Sequence, residues 1–250
     1  MYFLLTKLCA LLGVNRTAFL FLMAIIIYVP IFITIYKYSS KPYISILTYF
    51  AFGLFGYSLG IFRQMIAISI ILCGIKFIEN RKFWKYLIII LFAMTFHKTA
   101  LLALVLYFLY PIKWQTNAKL GLVGCVVALI SGRFFVLMII RLFPSYSGLV
   151  GSIYDVTDTS YVMIFVLLTL WGICCFLNNC QQVAQVNKIA FDALSLALIV
   201  QSLGYHMGIF GRVIGYLSIF YIFLIASSAI VTYSLFTPWS LLTSPNLFIF

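Results

Sequence analysis

Acidic residues are nearly absent from this chain: 4 of its 250 residues are Asp or Glu, and charged residues of either sign make up only 8%. A soluble domain carries about 25% charged residues to cover its surface, so a soluble enzyme is excluded. The 65% hydrophobic content excludes a disordered chain as well. Histidine is equally scarce, with His97 and His206 the only two. The six cysteines, Cys9, Cys73, Cys125, Cys174, Cys175 and Cys180, form no CxxC pair, and the last three have no histidine at metal-ligand spacing. They are expected as small apolar residues within spans, and no metal or other cofactor is expected. No polar stretch is long enough to fold alone, which excludes a separate soluble domain. There is no Gly-rich phosphate loop and no nucleophile-elbow serine, so a nucleotide-driven reaction has no visible site. No paired carboxylates lie within the apolar runs, which disfavours an ion-coupled transporter.

What is present is apolar sequence in long runs. Taking about 20 mostly apolar residues per crossing, the pattern predicts an all-α, polytopic integral membrane bundle with about nine spans, over 17–36, 43–60, 64–78, 83–96, 99–110, 120–131, 160–177, 189–203 and 212–233. The whole chain, 1–250, reads as a single transmembrane domain. Residues 1–12 are expected as an interfacial helix, because Lys7 interrupts the apolar stretch and no cleavage site follows, unlike a signal peptide. A second surface or re-entrant helix is expected over 134–143, an outer loop over 144–159, and a tail from 237. Pro30 predicts a kink in the first span. The sequon at Asn15 abuts a span and is read as chance.

The net charge is +12. Its basic residues stand singly between apolar runs, so nucleic acid is not the expected partner; membrane lipid head groups or phosphorylated lipid substrates are. The predicted loops divide the cations into two sets. One holds Lys37, Lys41, Lys76, Arg81, Lys82, Lys85, Lys113, Lys119 and Lys188; the other holds Lys7, Arg16, Arg63, Lys98, Arg133, Arg141 and Arg212. The larger set is assigned to the cytoplasm. The outer set nevertheless contains five of the six arginines. Arginine is the better fork for phosphate oxygens, so this face is read as a phosphate-binding surface.

The candidate site is therefore Arg63-Gln64, His97-Lys98, Arg133, Arg141, His206 and Arg212. Arg133 and Arg141, eight residues apart, lie near one helix face about 12 Å apart along the axis, which suits a ligand with several phosphate oxygens. Each arginine is equally consistent with snorkelling to lipid phosphate, and this plainer reading is strongest for Arg16 and Lys7. His97 suits a general base, and His206, between two glycines, is a second candidate. Asp155 and Asp158 are solvated loop residues or, as the only outer carboxylates, a base or acceptor contact. Asp192 is expected to pair with Lys188 four residues earlier, and Glu79 to form a surface pair.

Two motifs carry a resemblance. Arg63-Gln64-Met65-Ile66-Ala67, followed some thirty residues later by Phe96-His97-Lys98-Thr99-Ala100, resembles the EpsG-type, Wzy-like polysaccharide polymerases, in which Arg-Gln-x-x-Ala is followed by Phe-His-x-[Ser/Thr]-Ala. Arg212-Val-Ile-Gly-Tyr216 is similar to a later Arg-x-x-x-Tyr motif, and the likeness covers roughly residues 1–232. The resemblance implies a bacterial inner-membrane glycosyltransferase that joins lipid-linked repeat units of O-antigen, capsule or exopolysaccharide at the periplasmic face. Donor and acceptor would be glycans on undecaprenyl pyrophosphate, with a flippase and a chain-length regulator as partners. Arg63, Arg133, Arg141 and Arg212 would hold pyrophosphate. His97 or His206 would act as base, and Gln64, Lys98 and Tyr216 would position substrate. It also implies further N-terminal spans and an acidic Gly-Tyr segment before about the point where Met1-Tyr2 stands. A lipid-linked glycan ligase, a membrane O-acyltransferase and a glycolipid flippase are the alternatives.

Overall fold

A computed structural model describes residues 2–142, 161–180, 185–206 and 210–236. The predicted outer loop, with Asp155 and Asp158, and the tail from 237 lie outside these residues. Every regular element among the described residues is helical: α1 Tyr2–Leu11, α2 Arg16–Tyr38, α3 Pro42–Ala51, α4 Leu54–Gly60, α5 Phe62–Leu72, α6 Ile75–Glu79 and α7 Phe83–Met94, then a 3-10 helix Lys98–Ala103, α8 Leu104–Leu109, α9 Trp114–Leu142, α10 Tyr161–Cys180, α11 Gln185–Gly204, α12 Phe210–Ser218 and α13 Tyr221–Phe236.

Several apolar runs are not single helices. Residues 43–60 divide into α3 and α4, bent by 58° at a break where Gly53 turns the backbone left-handed at φ 69°. No L side chain adopts that turn without strain. The run over 212–233 breaks in the same way between α12 and α13, at 46°. The run over 99–110 opens as 3-10 helix. Conversely, no separate surface helix starts at 134: α9 runs unbroken through Arg133 to Leu142, 29 residues in all. Among the described residues two helices, Arg16–Tyr38 and Trp114–Met138, are long and apolar enough to cross a membrane, or four spans if each bent pair counts as one.

The outside of the bundle is apolar. Phe21, Ile130, Phe165 and Phe176 are each at least 66% exposed, as on a surface that faces lipid. Inside, Met23, Ile27, Ile31 and Ile35 of α2 pack on Ile66, Ile68 and Ile71 of α5 within one continuous core. α2 continues through Pro30. The Ile26 carbonyl, which proline cannot satisfy, faces Ser69 Oγ of α5 at 3.4 Å. Asn15, the sequon residue, caps α2, its Oδ1 accepting from the Ala18 amide at 2.8 Å.

α9 and α11 pack closely along a seam of small residues. Gly121, Gly124 and Gly132 of α9 stand against Ser195, Ile199 and His206, so tightly that a Cβ built on each would lie within 3.0 Å of its neighbour. Cys125 Sγ meets Ser202 Oγ at 3.1 Å on the same seam. Small residues bring the two backbones together where lipid offers no hydrophobic drive between helices.

Two polar clusters lie at opposite ends of α7 and of α11. One gathers the start of α7, the end of α8 and the start of α11. Arg81 donates to the Tyr107 carbonyl and lies 4.0 Å from the Tyr107 ring centroid. Lys188 pairs with buried Asp192 at 2.9 Å as expected, and Asn117 donates to the other Asp192 oxygen at 2.6 Å. Glu79 departs from expectation: it makes no ion pair among the described residues, and its partial burial raises its carboxyl above the ordinary range. The other cluster is the candidate site.

Candidate functional site

Three chain breaks assemble the site. Arg63 and Gln64 follow the Gly60-Ile61 break and stand in the first turn of α5. His97 precedes the 3-10 helix in extended backbone, at φ −149° and ψ 118°. Arg212 stands in the first turn of α12. With Tyr2 of α1 these residues line a cavity of about 480 Å³, within the size range of small-ligand sites. The N-terminal ends of α5 and α12 both open on it, adding the positive end of each helix dipole to two guanidinium groups. Among the described residues no carboxylate lines this cavity.

Each wall is fixed by a specific contact. Gln64 is buried and donates from Nε2 to the Arg212 carbonyl at 2.5 Å, tying α5 to α12 across 148 residues. Its Oε1 is buried without a partner among the described residues. The Arg63 guanidinium lies 4.9 Å from the Tyr2 ring centroid, a cation–π contact that holds the fork over the cavity mouth. Gly215 is required by close approach: a Cβ there would stand 2.7 Å from Gln64 Nε2 and 2.9 Å from the Tyr57 hydroxyl. Behind this wall lies an apolar slot of about 200 Å³ between the α3–α4 break, α10 and α12.

His97 is held through one ring nitrogen. Its Nδ1 lies 2.7 Å from Thr99 Oγ1 and 2.9 Å from the hydroxyl of buried Tyr216. Burial first, then Arg212 and Arg63, hold its pKa below the ordinary value of 6.5. The ring is therefore neutral near pH 7.

The predicted residues fall into two groups. Arg63, Gln64, His97 and Arg212 meet at the cavity, and Tyr216 stands behind His97. Lys98 is exposed at the start of the 3-10 helix. Arg133, His206 and Arg141 belong to the α9–α11 seam and its continuation. His206 Nε2 lies 3.0 Å from the carbonyls of both Ala128 and Leu129. Arg133 donates to the His206 carbonyl at 3.3 Å, and Arg141 is exposed in the last turn of α9. His206 thus spends its Nε2–H on packing α11 to α9. Tyr2, Tyr57 and Thr99 were not singled out in the sequence. Thr99 alone carried a signal, as the hydroxyl position of the Phe-His-x-[Ser/Thr]-Ala motif.

A helical bundle with an apolar exterior and an arginine-lined cavity at two helix N-termini defines the class: a membrane protein with a basic cavity. The family model for the EpsG family matches residues 1–239, and the chain belongs to that family. Its members are glycosyltransferase-like polymerases of polysaccharide biosynthesis. No curated protein and no solved structure matches the chain.

Proposed function

We propose that this protein polymerises glycan repeat units carried on a polyprenyl pyrophosphate, undecaprenyl in bacteria, at the periplasmic face of the inner membrane. The observation that carries this reading is the 480 Å³ cavity, where Arg63, Arg212 and His97 meet at the N-termini of α5 and α12. A hydroxyl of the acceptor repeat unit attacks the anomeric carbon of the donor. The bond from that carbon to the phosphate oxygen breaks, and polyprenyl pyrophosphate leaves. Arg63 and Arg212 neutralise the leaving pyrophosphate, which is the charge stabilisation this chemistry needs, supplied here without a metal. Gln64 positions the substrate by tying the α5 wall to the α12 wall, and Lys98 draws the anion inward. Arg133 and Arg141, along one helix, and Asp155 contact the glycan or the acceptor's phosphates. The bundle forms one domain of about nine crossings, with the short and broken helices crossing in pairs, and it works beside a flippase and a chain-length regulator.

The test is the glycolipid profile of cells. Arg63→Ala and Arg212→Ala, expressed at the normal level, lose polymer and accumulate single-repeat glycolipid. Polymer of ordinary length in both variants overturns the reading.

A further inference from the structure

We infer that Tyr216 and Thr99 fix His97 in the tautomer protonated at Nε2, so that His97 meets the substrate as a hydrogen-bond donor and not as a base. The argument is an inventory of protons. Thr99 Oγ1 and the Tyr216 hydroxyl both reach His97 Nδ1, at 2.7 and 2.9 Å. Neither hydroxyl has another acceptor among the described residues. With Nδ1 bare, it accepts from both hydroxyls, Thr99 at 2.7 Å and Tyr216 at 2.9 Å. With Nδ1 protonated, three protons share three atoms, and Nδ1 no longer accepts. One hydroxyl proton is then left without an acceptor beside Tyr216, which is 1% exposed, and burying an unmet donor is costly. A neutral imidazole with Nδ1 bare carries its proton on Nε2. Among the described residues no protein group occupies Nε2, and the ring borders the cavity with Arg63 and Arg212.

The consequence for the reaction, which rests on the polymerase reading, is a division of labour. His97 Nε2–H joins the two guanidinium groups in holding pyrophosphate oxygens while the anomeric C–O bond breaks. The acceptor's hydroxyl proton passes to a departing phosphate oxygen or to water. His97 gains and loses no proton through the cycle. Tyr216 and Thr99 are positioning residues that act through it.

The tautomer is measured directly. With only two histidines in the chain, protein labelled with ¹⁵N in the imidazole and held in lipid nanodiscs gives two ring-nitrogen pairs, and those of His97 are the ones lost in His97→Gln. At neutral pH, Nδ1 of His97 resonates as an unprotonated nitrogen and Nε2 as a protonated one. Tyr216→Phe and Thr99→Val each leave one donor and keep this pattern, whereas the double variant mixes the two tautomers. A protonated Nδ1 in the wild type, or an unchanged tautomer in the double variant, overturns the assignment whatever the reaction is. Inorganic pyrophosphate shifts the Nε2–H resonance of the wild type, and absence of a shift at saturating pyrophosphate overturns the donor role. In cells, Gln at 97 places an N–H near the lost Nε2 and keeps polymer formation within about tenfold, while His97→Leu loses a further 10- to 100-fold, the worth of a hydrogen bond to a charged group. Equal loss in both overturns the donor role and leaves the Arg63 and Arg212 result standing.

Discussion

At the residue scale, Arg63 and Arg212 do two things at once. They line the same cavity, and they press on His97 from different helices. A histidine whose folded pKa is lowered favours the neutral ring. Its contribution to stability is present above the unfolded value near 6.5 and is lost as pH falls through that value toward the lower folded one. The His97 protonation midpoint, followed by ¹⁵N chemical shift, should therefore lie below 6.5 in the wild type and rise in Arg63→Gln and in Arg212→Gln. A midpoint that stays put in both variants would leave burial as the only cause. Charge and shape separate in a second measurement. Arg63→Lys keeps the charge but loses the planar fork and much of its contact with Tyr2. Polymer in Arg63→Lys cells should fall nearly as far as in Arg63→Ala, and near-normal chain length would mean that a point charge suffices.

At the element scale, the α9–α11 seam offers a graded series. A methyl group at 121 would meet the Ser195 backbone at 3.1 Å, with its Cβ at 2.9 Å, whereas one at 124 would meet the movable end of Ile199. Gly121→Ala should cost about 1–3 kcal/mol, the usual penalty of overpacking, and Gly124→Ala should cost less. Gly132→Ala drives the His206 ring off α9, since its Cβ would stand 2.4 Å from Cδ2, and breaks the bonds to Ala128 and Leu129. Thermal unfolding in detergent ranks the three, and equal midpoints for Gly121→Ala and Gly124→Ala would sink the distinction. The same elements mark what a linear reading of the sequence could see. Apolar density located the helical regions, because lipid demands it. It could not locate the break at Gly53, since a left-handed turn leaves the count of apolar residues unchanged. It ended a span before Arg133, since a charge interrupts a run, although an exposed arginine continues a helix without cost to the backbone. The site was legible where cations and histidines stood out against apolar sequence, as at Arg63, His97 and Arg212. Tyr2, Tyr57 and Thr99 were not legible, because aromatic and hydroxyl residues inside apolar runs look like core until the fold sets them beside a charge.

At the scale of the whole molecule, the two polar clusters at opposite ends of α7 and α11 predict sidedness. Single cysteines at 63, 97 and 212, on a background without native thiols, should react with an impermeant reagent from the periplasm, and those at 81 and 188 only from the cytoplasm. Labelling of 81 with protection of 63 in intact spheroplasts would reverse the proposed orientation. Gln64 also has a consequence in time. Its amide reaches the Arg212 carbonyl across 148 residues. At a synthesis rate of about 5–20 residues per second, the nascent chain waits roughly 7 to 30 seconds between making the first of these residues and the second. Throughout that interval Arg63 and His97 exist without their third partner, and the α5 wall has no carbonyl to rest on. On the proposed reading, the cavity lacks one wall until Arg212 has been made, so the site is completed only late in insertion.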